Sequence, residues 1–328
     1  MKVLLTGGLG FIGSHVAVEL LNNNYDIIIV DNLSNSHLEV IDKITEITNK
    51  DFIFYNTDLC NTIEMREIFI AHPDITYVLH FAGLKSVSES ISKPEEYYHN
   101  NVGGFISLIN VMKEFACKNI IFSSSATVYG TQSYPVDETA ETGKGITNPY
   151  GKSKFIIEEI LKDLNMNSVS LRYFNPIGAH PSGCLKENPK GLANNLMPYI
   201  IRSLSDKDGS ETLTVFGNDY NTPDGTCVRD YIHVSDLAKG HLLALQKIDS
   251  LKGFNAFNLG TGEGATVLEL IYTFEAVNGV KIKYVIGNRR EGDLPCVYAN
   301  IDKARKLLEF SPQYSISDMC RDSFKNLL

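Results

Sequence analysis

The sequence contains no tryptophan, and its few cysteines form no Cys-x-x-Cys pair. Scattered cysteines are typical neither of a disulfide-stapled secreted domain nor of a zinc site, so we expect reduced thiols in a cytoplasmic protein and no metal centre. No apolar run approaches the roughly 18 residues that cross a bilayer, and we recognise no targeting signal ahead of the first strand-like run. We therefore expect no membrane partner.

Positive charge is also in short supply. The chain has 30 Lys and Arg against 39 Asp and Glu, which gives a formal charge of −9. This balance argues against a nucleic-acid partner but not against an anionic small molecule, because local basic residues can hold phosphates inside an acidic protein. The 328 residues, 43% of them apolar, are enough for two domains or one elaborated domain with an ample core.

What the chain does have, over its first 180 residues, is a regular alternation of short β-rich runs and longer helical patterns. The predicted strands are Val3–Leu5, Ile27–Val30, Phe52–Tyr55, Tyr77–Phe81, Asn119–Phe122 and Ser168–Arg172. The predicted helices begin near Phe11, Leu38, Ile63, Glu95 and Tyr150. Strands that are apolar on both faces and alternate with helices predict an α/β fold with a doubly wound parallel sheet of the Rossmann type.

This rhythm breaks beyond Asn175, where residues rich in Gly, Pro and Asn predict a long connection. We therefore predict a first domain over residues 1–175 and a smaller α+β lobe over residues 176–328. Whether the second part returns an element to the first sheet is left open.

The glycine-rich segment Gly8-Leu9-Gly10-Phe11-Ile12-Gly13 follows the first predicted strand and opens a helix. Glycines there permit a tight turn and a close approach of the backbone to a pyrophosphate at the helix N-terminus. Asp31 ends the second strand, 18 residues after Gly13, where a carboxylate binds ribose hydroxyls and repels a 2′-phosphate. The pattern predicts a dinucleotide site that prefers NAD to NADP.

Two further segments end predicted strands at the edge where open α/β sheets bind ligands. Asp58-Leu59 follows the third strand, and Asp58 either accepts a hydrogen bond from the adenine amine or caps the helix near Ile63. Phe81-Ala82-Gly83 follows the fourth strand, which places Lys85 near the cofactor.

A third cluster pairs Tyr150 with Lys154 and follows a serine-rich strand end that includes Ser125. Residues four apart share one face of a helix, so Lys154 can place its charge near the Tyr150 hydroxyl. A free phenol has a pKa of about 10, and lowering it by about three units takes roughly 4 kcal/mol. An ammonium and a cationic nicotinamide ring together can supply that stabilisation, which predicts removal of a proton from an alcohol beside a dinucleotide.

With these residues in hand, the chain resembles the extended short-chain dehydrogenase/reductase superfamily and, within it, the UDP-hexose 4-epimerases over essentially its whole length. The matching segments are Thr6–Ser14, Asp31–Ser36, His80–Lys85, Asn100–Val102, Phe122–Gly130, Asn148–Lys154, Leu171–Gly178, Asn194–Tyr199, Phe216–Tyr220, Val228–His233 and Arg290–Pro295. The resemblance implies an NAD-dependent isomerase of galactose metabolism that interconverts UDP-glucose and UDP-galactose through a transient 4-keto sugar and bound NADH. It also implies a homodimer paired through the helices near Glu95–Phe115 and Tyr150–Leu164.

The same resemblance assigns roles to individual residues. It makes Tyr150 the base, Lys154 the residue that tunes it, and Ser125 the hydroxyl that bonds the reacting sugar oxygen. The cofactor contacts that it implies are Gly7, Gly10, Phe11, Ile12, Gly13, Asp31, Asn32, Asn35, Ser36, Asp58, Leu59, Phe81, Ala82, Gly83, Lys85, Asn100, Ser123, Tyr150, Lys154 and Phe174. The implied UDP-hexose contacts are Ser125, Asn175, Asn195, Leu196, Phe216, Arg229, Arg290, Asp293 and Val297.

In such enzymes the position of Val297 faces the 2-substituent of the sugar, where a small side chain accompanies tolerance of N-acetyl sugars. We therefore expect UDP-GlcNAc and UDP-GalNAc to be interconverted too, unless a shift of one residue places Tyr298 there instead. Three alternative functions remain: a nucleotide-hexose 4,6-dehydratase, a UDP-glucuronate 4-epimerase and a non-catalytic NAD-binding regulator. The dehydratase would need an acidic pair after Ser125, where Ala126-Thr127 stands.

Overall fold

The computed structural model describes residues 2–190, 195–205, 212–290 and 292–325. Asn194, Glu291 and residues 326–328, which belong to predicted segments, lie outside the described residues. The strands are β1 (Lys2–Thr6), β2 (Asp26–Val30), β3 (Ile53–Tyr55), β4 (Ile75–His80), β5 (Asn119–Ser125), β6 (Asn167–Tyr173), β7 (Asn175–Ile177), β8 (Leu213–Phe216), β9 (Val228–Arg229), β10 (Tyr231–His233), β11 (Phe254–Leu259), β12 (Ala265–Thr266), β13 (Tyr284–Gly287) and β14 (Cys296–Val297).

The α-helices are α1 (Phe11–Asn22), α2 (Val40–Thr48), α3 (Thr62–Ala71), α4 (Val87–Ser92), α5 (Pro94–Tyr97), α6 (Gly104–Glu114), α7 (Pro149–Asp163), α8 (Leu196–Ser205), α9 (Val234–Lys247), α10 (Val267–Asn278), α11 (Asp302–Leu308) and α12 (Ile316–Phe324). A π-helical segment, Tyr98–Gly103, joins α5 to α6, and a 3₁₀ turn, Ala126–Tyr129, follows β5. Among the described residues, no helix is long and apolar enough to cross a membrane.

Seven parallel strands form the central sheet in the order β11-β6-β5-β4-β1-β2-β3. The strands are buried on both faces because separate apolar clusters cover the two sides. Leu5 and Ile29 face the cluster that includes α1 and α9, whereas Leu4 and Ile28 face the cluster that includes α3 and α6. The predicted doubly wound parallel fold is confirmed, as are its six predicted strands.

The strand order reverses between β1 and β4, which neighbour each other although two strands separate them in sequence. Such a switch point opens a crevice outside the carboxyl ends of the strands. The glycine-rich segment leaves β1 into this crevice, and Phe81 leaves β4 beside it. The fold thereby brings together two segments about 70 residues apart in sequence.

The later part of the chain builds small sheets over the same edge of the central sheet. The strand β7 pairs with β10, β9 lies between β12 and β14, and β8 pairs with β13. The seventh strand of the central sheet, β11, also comes from this part and pairs with β6 over its whole length. The boundary between residues 175 and 176 stays a prediction.

Candidate functional site

The turn after β1 is shaped by two glycines that no larger residue could replace. Gly7 has φ +69°, and a Cβ on it would lie 2.6 Å from the backbone nitrogen of Ala82. A Cβ on Gly13 would lie 2.4 Å from the carbonyl oxygen of Gly7. Gly10 is the N-cap of α1, which Phe11 and Ile12 begin, and no side chain caps it. The first-turn N–H groups of α1 are therefore not taken up by a capping side chain.

Asp31, directly after β2, is fixed against this turn. Its carboxylate accepts hydrogen bonds from the backbone N–H of Leu9 (3.0 Å), the N–H of Leu33 (2.9 Å) and the hydroxyl of Ser36 (2.7 Å). Asn35, in the same loop, accepts a hydrogen bond from the backbone N–H of Lys190. The end of β2 is thus held beside the glycine turn, as a ribose-binding carboxylate requires.

Asp58 is held in the same crevice by Asn32, whose amide donates to the Asp58 carboxylate at 2.7 Å. Partial burial raises the pKa of Asp58, but hydrogen bonds from Asn32 and Cys60 outweigh it and hold that pKa below its usual value. The alternative role of Asp58 as a helix cap is wrong, because Asn61 caps α3 by accepting from the Glu64 N–H. Leu59, next to Asp58, is buried.

The loop after β4 continues this wall of the crevice. The N–H groups of Phe81 and Ala82 both donate to the carbonyl of Thr6. Gly83 lies against Asn101, since a Cβ on it would be 3.1 Å from the Asn101 amide oxygen. Asn101 accepts from the Leu84 N–H and donates to the hydroxyl of Ser153 on α7. It thereby fastens this loop to the helix that carries Tyr150.

The predicted cofactor contact in this segment is Asn100, the neighbour of Asn101. Both stand in the π-helical segment between α5 and α6, where Asn101 is buried and Asn100 is half-buried. Single-turn π segments inside α-helices recur at functional sites, and no simple sequence pattern marks them. The structural role of Asn101 therefore became visible only in the fold.

The carboxylate of Glu187, which no sequence motif marks, contacts both Lys85 and the predicted substrate residue Asn195. Lys85 Nζ lies 2.5 Å from Glu187 Oε1, and the Asn195 amide donates to the same oxygen at 3.3 Å. Asn195 stands immediately before α8, which Leu196 begins. Glu187 thus joins a residue of the cofactor wall to the connection that leads into α8.

The predicted catalytic side chains lie at the carboxyl end of β5 and the start of α7. Asn148 caps α7 by accepting from the Gly151 N–H, and Pro149 stands in its first turn, which places Tyr150 and Lys154 on the face toward β5. Lys154 Nζ donates to the carbonyl of Ser123 at 2.7 Å and lies 5.9 Å from the Tyr150 ring centre. The sheet and α7 together assemble Ser125, Tyr150 and Lys154.

Hydrogen bonds from Thr127 determine whether the Ser125 hydroxyl acts as a donor or as an acceptor. Its oxygen accepts from the N–H (3.2 Å) and from the hydroxyl (3.0 Å) of Thr127. With both lone pairs occupied, Ser125 is left to donate its own proton. Its hydroxyl lowers the pKa of the Tyr150 phenol, as a donor toward an oxygen at this position does.

Burial shifts the pKa values of both Tyr150 and Lys154. It raises the pKa of Tyr150, and the hydrogen bond from Ser125 opposes this shift only in part. Burial also lowers the pKa of Lys154 to about 7, because a dry environment disfavours the charged amine. These directions agree with the prediction that a cationic nicotinamide ring, together with the Lys154 ammonium, is needed to lower the phenol pKa.

Ser123, on β5, and Phe174, directly after β6, border the same catalytic end of the crevice. Phe174 is buried in a cluster with Val128, Tyr129 and Ala299. Asn175 begins β7 and donates from its backbone and its amide to the carbonyl of Asp230. The strand β7, which begins at the predicted substrate residue Asn175, is therefore paired directly with the segment that follows Arg229. A strand at the start of the predicted connection was not expected.

Arg229 and Arg290, predicted to bind a diphosphate, converge on Asp293. Arg290 Nη2 lies 2.8 Å from the Asp293 carboxylate, and Arg229 Nη2 lies 3.4 Å from it. The Arg290 guanidinium also lies 5.7 Å from the ring centre of Phe216, which is 45% exposed. Two planar cations, one of them beside an exposed aromatic face, form a suitable site for an aromatic nucleotide with a diphosphate.

The strand β14 connects this clamp to the catalytic end. Val297 pairs with Arg229 and packs against the cluster that contains Phe174. Adjacent side chains in an extended chain point to opposite faces. The next residue, Tyr298, packs against Gly264, since a Cβ on Gly264 would lie 3.5 Å from the Tyr298 ring. Buried Asp230 fixes β14 by accepting from the Ala299 N–H.

These residues fit a dinucleotide. The turn after β1 has no space for side chains at Gly7 and Gly13, Asp31 is placed to meet a ribose, and the polar ends of β4 and β5 border the same crevice. Together they form a cradle that runs from the adenosine end at β2 to the catalytic end at β5.

Comparisons with known proteins agree with this geometry. A model of the NAD dependent epimerase/dehydratase family matches residues 3–260. The UDP-glucose 4-epimerase of Bacillus subtilis is 48% identical over 331 residues, covering 99% of this chain and 96% of that protein.

Two solved structures extend the similarity to three dimensions. The UDP-glucose 4-epimerase from Bifidobacterium longum in complex with NAD+ and UDP is 47% identical, with a TM-score of 0.93 over 98% of this chain and 97% of that one. The enzyme from Stenotrophomonas maltophila with bound NAD and formylated UDP-arabinopyranose is 42% identical, with a TM-score of 0.95 over 100% and 98%.

Proposed function

The chain belongs to the NAD dependent epimerase/dehydratase family, and on that premise we propose that it is an isomerase that interconverts UDP-glucose and UDP-galactose at C4. The observation that carries this proposal is the similarity, over nearly the whole chain, to UDP-glucose 4-epimerases at up to 48% identity. The site described above supports it, because Ser125, Tyr150 and Lys154 meet beside a dinucleotide cradle. The predicted cofactor, NAD, fits that cradle and the family.

We assign NAD to the residues of the glycine turn, Asp31, Asp58, the loop after β4 and Lys154. When bound, NAD would supply the acceptor for the hydride of C4, and its reduced form would return a hydride to either face of the 4-keto sugar. The Tyr150 phenolate removes the proton of the 4-hydroxyl and gives it back in the reverse step. Ser125, oriented by Thr127 as a donor, bonds the same sugar oxygen and stabilises the ketone that forms there.

The nucleotide clamp explains how one site can serve both faces of the sugar. Arg229 and Arg290 hold the diphosphate, Asp293 accepts from the ribose, and Phe216 stacks on uracil. Binding free energy then comes from the part of the substrate that does not react. The hexose stays loosely held and can turn about its link to the diphosphate, so the opposite face is presented for return of the hydrogen.

An assay with UDP-galactose tests this function directly. The purified protein is expected to convert UDP-galactose to UDP-glucose without releasing water. Formation of a 4-keto-6-deoxy sugar would indicate a dehydratase. Turnover of UDP-glucuronate alone would indicate a glucuronate epimerase, and no turnover of any substrate would indicate an NAD-binding regulator. Thr127 already disfavours the dehydratase, because it bonds Ser125 where an acidic group would be required.

We also propose that the N-acetyl sugars UDP-GlcNAc and UDP-GalNAc are substrates. The packing of Val297 against the Phe174 cluster, with Tyr298 on the opposite face, supports Val297 as the side chain nearest the sugar's 2-substituent. Valine leaves space there for an acetamido group.

Replacing Val297 with tyrosine is expected to abolish much of the activity on UDP-GalNAc while leaving UDP-galactose conversion nearly unchanged. Steric overpacking costs about 1–3 kcal/mol, which corresponds to about a 5- to 150-fold loss. Epimerisation rates of both substrates in Val297→Tyr and in a Val297→Ala control measure the effect. Equal losses on the two sugars, or no N-acetyl activity in the natural chain, would disprove this proposal.

Finally, we propose a cytoplasmic homodimer. Six free cysteines support the cytoplasmic location. On α6, Ile106 is 45% exposed on the predicted dimer face, which a second copy would cover. Light scattering is expected to give twice the 36.5 kDa chain mass. Ile106→Asp is expected to shift the protein toward monomer, whereas exposed Ile63→Asp on α3 is not.

A further inference from the structure

The described part of the chain that follows β7 contacts the loops on both sides of the cofactor crevice. Its residues 185–190, here called the strap, begin at Leu185, which is 2% exposed and belongs to the same apolar cluster as Leu9 of the glycine turn. The Leu185 carbonyl accepts from the His180 N–H at 2.8 Å, which closes the preceding turn. One end of the strap is therefore anchored on the core beneath the dinucleotide cradle.

The strap is fastened to both walls of the crevice. At Glu187 it binds Lys85 Nζ at 2.5 Å, in the loop after β4. At the other end, the Lys190 ammonium donates to the Leu33 carbonyl at 2.6 Å, and the backbone N–H of Lys190 donates to the Asn35 side chain at 3.0 Å. Both acceptors lie in the loop after β2. These two fastenings lie on opposite sides of β1.

The span of the strap matches the width of the crevice. In the sheet β1 lies between β4 and β2, and neighbouring strands are about 4.8 Å apart, so the two walls are about 10 Å apart. Three residues of extended chain, the step from Glu187 to Lys190, also reach about 10 Å. With its two fastenings on opposite sides of β1, the strap is placed to pass the carboxyl end of β1, beside the turn that holds the pyrophosphate in the proposed function.

We infer that the strap is a gate for NAD, which has to unfasten at Glu187 or Lys190 before the dinucleotide can enter or leave the crevice. This inference rests on the proposed NAD-dependent function. The chemistry of the fastenings fits a latch, because Lys85 is itself a predicted cofactor contact. A dinucleotide that approaches Lys85 competes with the Glu187 carboxylate and opens that fastening. Once bound, it is retained between turnovers by the fastening at Lys190, which does not involve Lys85.

A gate has a kinetic signature that a simple contact lacks. Loss of a contact to bound NAD accelerates release only, whereas loss of a latch accelerates both release and uptake and changes the affinity less than either rate. We expect Glu187→Gln and Lys190→Met each to accelerate both rates by about three- to tenfold, as for loss of one partly exposed charged contact. Asn188→Ala, an exposed position within the strap, serves as the matched control.

The experiment loads each purified variant with radiolabelled NAD and follows release into excess unlabelled NAD, then measures uptake by NAD-depleted protein. Unchanged rates in both strap variants, or faster release with unchanged uptake, would overturn the gate. If the natural chain binds no labelled NAD, the cofactor assignment and the gate both fail. If it binds NAD but does not epimerise UDP-galactose, the proposed function fails while the two rates still decide the gate.

Discussion

Replacing Tyr150 with phenylalanine is expected to lower the kcat for UDP-galactose conversion by about 10²- to 10⁴-fold, the usual contribution of a positioned general acid–base. The aromatic ring and its packing beside Lys154 remain, so only the hydroxyl that takes and returns the proton is lost. Binding of the nucleotide is expected to change little, because Arg229, Arg290 and Phe216 lie on other elements.

The measurement pairs kcat from a coupled assay with the affinity for UDP from calorimetric titration. Tyr25→Phe, in the turn before β2 and away from the crevice, provides the matched control and should retain natural activity. A Tyr150→Phe enzyme that keeps kcat within about tenfold would exclude Tyr150 as the base. A parallel loss of UDP affinity would instead indicate a distorted site.

Replacing Glu158 with glutamine is expected to destabilise the fold by about 3–5 kcal/mol, because it leaves a buried guanidinium without its counter-charge. Arg172 and Glu158 are 3% and 0% exposed and make two hydrogen bonds, at 3.1 and 2.7 Å. Ser124 donates to the same carboxylate at 2.6 Å, and Arg172 also donates to the Tyr129 hydroxyl at 2.9 Å.

This hydrogen-bond network matters for the candidate site because it joins α7, β5 and β6, which lie around the catalytic residues. Glu158 follows Tyr150 and Lys154 on the same face of α7, Ser124 stands between Ser123 and Ser125 on β5, and Arg172 belongs to β6. Loss of the ion pair is therefore expected to loosen α7 against the sheet as well as to lower the free energy of unfolding.

Denaturant unfolding of Glu158→Gln, compared with Glu114→Gln, tests the expectation. The Arg66–Glu114 pair is 54% and 44% exposed, so its loss should cost less than about 1 kcal/mol. Replacing both buried partners, in Glu158→Leu with Arg172→Met, should restore much of the lost stability, since no uncompensated charge remains. Equal effects of the buried and the exposed single substitutions would contradict this account.

Much of the site was predictable because its signals are local. The glycine turn, the Tyr150/Lys154 spacing and the position of Asp31 after a strand each depend on neighbouring residues and regular strand and helix geometry. The predicted strands and fold class, confirmed by the structure, depend on the same short-range apolar patterns. The roles given to individual residues stay predictions that the variants above test.

Other features depend on contacts between distant residues. Asp58 is held by the amide of Asn32, 26 residues away, and it is Asn61 that caps α3. Asn101 became a clamp only because the π-helical segment faces α7. The seventh strand, β11, joined the sheet because β6 offered it a free edge.

The sequence by itself determined the class of fold, the dinucleotide turn and the tyrosine–lysine pair, because these require only short-range order. Tertiary structure alone decided the burial of that pair, which raises the pKa of Tyr150 and lowers the pKa of Lys154. It also decided the pairing of Lys85 with Glu187, 102 residues away, and hence the strap. A contact across such a separation depends on the path of the whole chain, which local patterns do not specify.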